Sequence, residues 1–225
     1  MKKLALLGLS LFINLIGYSQ AFTIRDLSSL SDHLTYKRNN ENTYTNIEGS
    51  PFLDENFVVG KVIINDSILI ENVPLRYNIY SDKIEFKNAN GQILEISNSG
   101  QVYQFKLGSH TFLESEYRTK NETEQGVLEL LVNGNIKLYK KYRIELKEAT
   151  KAIGFQDAQP NRFTPLDDEY LIAEGDAIPQ VIKNPKILLE ELKSYQPDIE
   201  KYIQKEKVRV KTESGLIRLI RHCNQ

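Results

Sequence analysis

The chain has 225 residues, 40% of them hydrophobic and 26% charged, with a formal net charge of −1. That is ordinary globular chemistry, long enough for one large core or two modest ones, and it excludes a globally basic nucleic-acid binder. The single cysteine, Cys223, excludes an intramolecular disulfide and any metal site built on thiolate pairs, so the fold must stand on its apolar core.

Lys2 and Lys3 form a short basic head, Leu4 to Ile16 an apolar run, and Gly17, Ser19 and Ala21 a small-residue end. That order describes a secretory signal peptide, too short and too abruptly ended for a spanning helix. Cleavage is expected after Ser19 or Ala21, and export to the periplasm or the cell exterior follows. No cysteine stands just behind the signal to carry a lipid anchor. Setting aside Lys2 and Lys3 leaves 27 of the 29 basic residues against 30 acidic ones, a net charge near −3. No second apolar run reaches membrane-spanning length, so the mature chain is expected not to span the membrane.

The domain layout expected is a signal peptide over residues 1–21, a short helix and polar linker over 22–46, an antiparallel β domain over 47–182 and a helical segment over 183–225. Ile24, Leu27, Leu30 and Leu34 recur at helical spacing within Phe22–Leu34, and the polar, Asn-rich stretch Lys37–Asn46 reads as linker or surface loop. From Ile47 short β runs alternate with turn residues. Asn56–Ile64 and Ser67–Val73 flank Asn65-Asp66, a turn that tolerates positive φ. Asn88–Gly91, Ser97–Gly100, Gly108 and Asn133-Gly134-Asn135 punctuate the strands Gln92–Ile96, Val102–Leu107, Phe112–Glu116, Gly126–Leu131 and Ile136–Leu146. This recurrence predicts a mainly β fold, an antiparallel meander, sandwich or open barrel, with a small α-helical C-terminal segment.

Val73–Phe86 is the densest β signal, two β-branched and aromatic runs around Ser81-Asp82, and reads as the central hairpin. Period-2 geometry sends Leu75, Tyr77 and Ile79 to a core face and Arg76, Asn78 and Tyr80 to a wet one. A tyrosine ring offers contact area and its hydroxyl a polar handle, so Arg76, Asn78 and Tyr80 are the leading candidate binding residues.

An outer-membrane barrel fits poorly, because Lys and Glu stand on both faces of several strands and the C-terminus is charged and helical. A soluble product is expected. Ala149–Thr164 reads as loop. Asp167, Asp168, Glu169, Glu174 and Asp176 crowd around Tyr170-Leu171-Ile172, but without calcium-loop spacing they read as a solvated acidic loop beside an edge strand. From Lys183, ten Lys/Arg face six Asp/Glu. Pro185 and Pro197 open two helical patterns, and Leu216, Ile217, Leu219 and Ile220 mark a third, with Cys223 half-buried near its end or paired between chains. Lys205, Lys207, Arg209 and Lys211 alternate with other residues. If extended, that segment sets four cations along one edge for an anionic polymer or an acidic partner, or else forms a lysine-protected edge strand.

Catalytic signatures are missing. His33, His110 and His222 lie in three unrelated contexts, and there is no H-E-x-x-H, G-x-S-x-G, Walker or dinucleotide motif. Asn65-Asp66-Ser67 and Asn121-Glu122-Thr123 match the glycosylation sequon, but the Lys-Lys leader reads as bacterial.

The block P-L-R-Y-N-I-Y-S-D-K-I-E-F (74–86), the preceding G-S-P-F-L and F-V-V-G-K-V, and the tail K-I-L-L-E-E-L with its lysine-rich segment and last Asn are informative together. They resemble a group of uncharacterised secreted β-rich bacterial proteins of the Gram-negative envelope. The resemblance implies export and one folded unit, and it carries no functional residues to transfer. The expected function is a non-enzymatic binding or structural envelope protein with no cofactor, no metal and no nucleic acid, whose partner is an envelope protein or polymer. The competing expectation is a hydrolase acting on envelope polymer, drawing on Asp167–Asp176 and His110.

Overall fold

Short turns built from residues that tolerate positive φ set the course of the chain. The computed structural model describes residues 23–25, 36–38, 44–96, 103–152 and 157–225. After β1 (Thr23–Arg25) and β2 (Tyr36–Arg38), Asn65 and Asp66 take φ of 48° and 52° to join β3 (Val58–Ile64) to β4 (Ile68–Asn78). Asp82, at φ 54°, closes the next hairpin to β5 (Lys83–Lys87), and its side chain fixes that turn to a distant strand. Tyr77 and the Val127 amide donate to the Asp82 carboxylate, and Lys141 pairs with it at 2.5 Å. The remaining strands are β6 (Ile93–Ile96), β7 (Tyr103–Leu107), β8 (His110–Arg118), β9 (Thr123–Val132), β10 (Ile136–Lys141), β11 (Ile144–Lys147), β12 (Arg162–Pro165), β13 (Glu169–Glu174) and β14 (Gln180–Val181).

The fold is mainly β with three short C-terminal helices, as the alternation and turn spacing predict. Twelve strands form one sheet in the order β14-β13-β10-β9-β8-β7-β3-β4-β5-β6-β2, with β1 beside β4. Two antiparallel meanders meet where β7 pairs with β3. The far end closes on itself: β14 pairs with β8 through Gln180 and Arg118, and the Arg118 amide donates to Pro179 at 2.8 Å. Strands β8, β9, β10, β13 and β14 therefore make a small barrel.

Period-2 alternation along β9, interrupted where the register with β10 shifts at Leu138/Tyr139, distributes side chains among three cores. Val127 joins the large cluster inside the curled sheet, with Tyr77, Phe86, Tyr103, Phe105 and Phe112. Leu128 and Leu130 enter the barrel with Tyr117, Tyr139 and Leu171. Leu131 and Val132 face outward with Ile136 and Leu138, under the helices. Each large side chain fully buried in this way contributes about 1.5–3 kcal/mol before entropy is charged against it.

The helices begin where their caps say. Asn184 caps α1 (Pro185–Leu192), accepting from the Lys186 amide at 2.9 Å, and Pro185 fits the first turn. α2 (Ile199–Glu206) stops at Lys207, in a left-handed conformation with φ 51°. Thr212 caps α3 (Glu213–Cys223), and Gly215 must be glycine because a Cβ there would lie 1.9 Å from the Arg209 carbonyl oxygen. Cys223 is buried against the helical core, and burial pushes its thiol up to about 11. Asn224 then clamps the tail to β10 as a strand neighbour would, accepting from the Ile136 amide and donating to its carbonyl, both at 2.8 Å.

Three local expectations are corrected. Thr23–Arg25 is strand, not helix, because it pairs in parallel with Ile68–Ile70, a ladder that local spacing does not record. The rest of the expected Phe22–Leu34 helix, the signal peptide with its cleavage positions, His33 and the Ser97–Gly100 turn lie outside the described residues. Tyr36–Arg38 pairs with β6 rather than opening a linker. The strand expected over Ile136–Leu146 breaks at Tyr142-Arg143, and β11 leaves to pair with β12 inside the stretch expected as loop. Among the described residues, no helix is long and apolar enough to cross a membrane.

Candidate functional site

The outward row of β4 is not wet. Residues 44–57 return over it, with the Leu53 amide donating to Tyr77 and the Ile79 amide to Pro51, and β12 lays Phe163 beside them. The side chain of Arg76 is 13% exposed and that of Glu85 0%, the pair meeting at 2.5 Å. The guanidinium also donates to the Glu55 carbonyl at 3.0 Å and lies 3.6 Å from the centre of the Phe52 ring. Asn78 is fully buried, donating to Glu85 and to the Tyr44 hydroxyl and accepting from the Ser81 amide. These polar groups satisfy one another, which is what burial requires of them. Tyr80 alone of the three stays open, 44% exposed, edge-on to Tyr44 and Phe163.

The cationic run is likewise rearranged. Lys205 sits in the last turn of α2, Lys207 is the left-handed residue that ends it, and Arg209 and Lys211 belong to the turn before α3. All four are exposed, but the helix and the left-handed break abolish the extended alternation that would have lined them along one edge. Three residues of the acidic stretch are paired, Asp168 with Lys140, Glu169 with Arg143 and Asp176 with Lys137, whereas Glu174 takes part in none of the ion pairs among the described residues. Among the described residues, no group of three or more His, Cys, Asp and Glu is placed to hold a metal ion.

His110 has partners that the sequence did not reveal. Its Nδ1 lies 2.6 Å from Glu129 Oε1, and the Tyr142 hydroxyl donates to the other oxygen of that buried carboxylate at 2.7 Å. Beyond Tyr142, Lys140 bridges Asp168 and Glu213, and Tyr170 donates to Glu213 at 3.1 Å. Burial pulls the Lys140 ammonium down, but the hydrogen bonds it donates to Glu213 and Asp168 outweigh that and hold the group above the ordinary lysine value. Burial pushes the Glu213 carboxyl up, and Lys140 and Tyr170 more than reverse that. Cross-strand diagonals and a helix start create the cluster, and neither has a linear motif. It ties α3 to the barrel wall.

The concavity lies elsewhere. Where α1 crosses β13 and β14 a cleft of about 610 Å³ remains. Ile136, Ile172, Val181, Leu188 and Leu192 give it apolar walls, and Ile187, 56% exposed, stands at its mouth. Lys183 and Asn184 line it at the N-terminal end of α1; Glu191, Ser194, Tyr195 and Glu174 line it at the other. The Glu174 carboxylate acts on the Tyr195 hydroxyl and, with desolvation, pushes it up to about 12. None of Arg76, Asn78, Tyr80, Lys205, Lys207, Arg209 and Lys211 lines this cleft, although Glu174 of the acidic stretch does. Ile187 and Leu188 read there only as a helix face, because the cavity exists only once the β13–β14 hairpin meets α1.

Compared with known protein families, with curated proteins and with solved structures, the chain matches none.

Proposed function

We propose that the chain is an exported protein of the Gram-negative envelope that works by binding, with the cleft between β13–β14 and α1 as its ligand site. The leader pattern and the resemblance of the 74–86 block support export. The observation that carries the site is the cleft: about 610 Å³, with apolar walls and polar groups making up much of the rest of its lining. Small-molecule sites fall at about 300–1,000 Å³ with this mixture of lining, and they favour junctions between structural layers. Its apolar walls suit a ligand with an apolar body, and the exposed Ile187 extends that apolar surface to the rim.

The test is titration of the exported protein with a neutral naphthylamine fluorophore. Its emission should rise on binding, Ile187→Asp should abolish the rise, and Tyr80→Ala should preserve it. Loss with Tyr80→Ala and retention with Ile187→Asp would move the site to the aromatic cluster. Recovery of the processed chain from the cytoplasm of its host would remove the envelope half of the proposal.

The hydrolase reading keeps one specific observation, the His110–Glu129 pair. A buried carboxylate holds one ring nitrogen of a histidine whose side chain is 43% exposed, the arrangement that orients a general base. Turnover of an envelope polymer that disappears in His110→Gln and in Glu129→Gln would favour it over the binding reading.

A further inference from the structure

The cleft is electrically lopsided along its length. Helix α1 has eight residues, about 12 Å of axis at 1.5 Å per residue, and the two ends of the cleft follow the two ends of the helix. At the N-terminal end the lining offers one cation, Lys183; the Asn184 side chain there is already spent on capping the helix. At the C-terminal end the lining holds two carboxylates, Glu191 from the helix and Glu174 from the end of β13, and both act electrostatically on the Tyr195 hydroxyl that lines the same end. Nearby cations are committed elsewhere: Lys193 pairs with Glu190 and Glu200, and Lys137 pairs with Asp176. Among the ion pairs of the described residues, neither Glu174 nor Glu191 takes part in one. The carbonyls at the end of a helix add partial negative charge at the same place. Apolar walls thus lead to an anionic end without a counter-ion.

We infer that the ligand is a small cationic amphiphile, an amine carrying an apolar chain, which lies along α1 with its cation against Glu174 and Glu191. The inference rests on the cleft being the ligand site and adds the chemistry of what fills it. Two carboxylates and a negative helix end outweigh the single, exposed Lys183 at the opposite end, so an anionic head is disfavoured. Because both carboxylates are exposed to water, the preference is modest and weakens with salt.

Isothermal titration of the exported protein at low ionic strength with octylamine, octanol and octanoate decides it, since the three share a chain and differ only in the head. Octylamine should bind about fivefold more tightly than octanol, the ratio set by an exposed ion pair of about 1 kcal/mol, and octanoate should bind more weakly than either. In a Glu174→Gln/Glu191→Gln double variant the amine should fall to the affinity of the alcohol while octanol binding stays as it was. Equal binding of octylamine and octanol to the unsubstituted protein, or tightest binding of octanoate, would overturn the cationic head and leave the cleft standing. Failure of all three to bind, octanol included, would overturn the cleft itself and the inference with it.

Discussion

The outward row of β4 and the cleft along α1 both bring polar and apolar side chains close together, and they differ in what is left unpaired. Around Arg76 the charged and amide groups are used: the guanidinium is shared by Glu85, the Glu55 carbonyl and the Phe52 ring, and Asn78 is spent on Glu85, Tyr44 and the Ser81 amide, while the buried Ser81 hydroxyl is left without a partner among the described residues. Along α1, Glu174 and Glu191 face a cavity with no cation against them. A polar cluster that closes on itself fastens two layers, whereas one that stays open towards a cavity has capacity left for something from outside.

The sharpest way to break this comparison is to remove Arg76. Arg76→Ala would take the Arg76 guanidinium away from the buried Glu85 carboxylate and from the Glu55 carbonyl, and the expected cost is about 3–5 kcal/mol in urea unfolding, with residues 44–57 released from the sheet. A loss under 1 kcal/mol would show that the covering layer is loosely held and the row accessible after all. Next in size is the tail clamp. Asn224→Ala orphans the amide and carbonyl of Ile136 and should cost about 1–2 kcal/mol. A similar loss of about 1–2 kcal/mol is expected for Lys140→Ala, which takes the Lys140 ammonium from Glu213 and Asp168 in a half-exposed setting and leaves Glu213 only its bond from Tyr170.

The pH dependence is smaller near neutrality and has a defined sign at each end. Lys140, Tyr170, Tyr195 and Cys223 are all raised in the fold. Their contributions are fully present below the ordinary values of 9.0 to 10.5 and are lost as pH rises through the folded ones. Glu213 is lowered, so its contribution is present above the ordinary 4.5 and is lost as pH falls through the folded value. Thermal melts should therefore be level between these limits and fall on either side. In Glu213→Gln the acid limb should become shallower. The smallest stability effect belongs to the cleft rim: Ile187→Asp should change unfolding by no more than about 0.5 kcal/mol, because an exposed side chain contributes little to the core.

Much of the fold was readable because turn chemistry is local. Asn65-Asp66, Ser81-Asp82, Asn88–Gly91 and Asn133-Gly134 each turn the chain where their residue types demand, and Pro185, Pro197 and the apolar run 216–220 mark three real helices. What could not be read depends on segments far apart in the chain. The leucine and isoleucine spacing after Phe22 fits a helix, yet Thr23–Arg25 is claimed by the edge of β4. Alternation correctly sent Arg76 and Asn78 away from the main core, but it reports only which side of a strand a residue takes, and residues 44–57 cover that side. The alternating cations of 205–211 look like a strand until Lys207 turns left-handed to end a helix. His110 and Glu129 lie nineteen positions apart on neighbouring strands, and the cleft draws on β10, β13, β14 and α1 together.

The measurement that bears most directly on the contrast between the two regions is amide chemical-shift mapping of the isotope-labelled protein during titration with octylamine. Shifts are expected to be confined to Ile136 and residues 172–184 and 187–195, around the cleft, with the amides near Tyr44, Phe52, Tyr80 and Phe163 unmoved. Shifts concentrated at Tyr80 and Phe163, with the α1 amides silent, would contradict that expectation and return the binding surface to the aromatic row of β4.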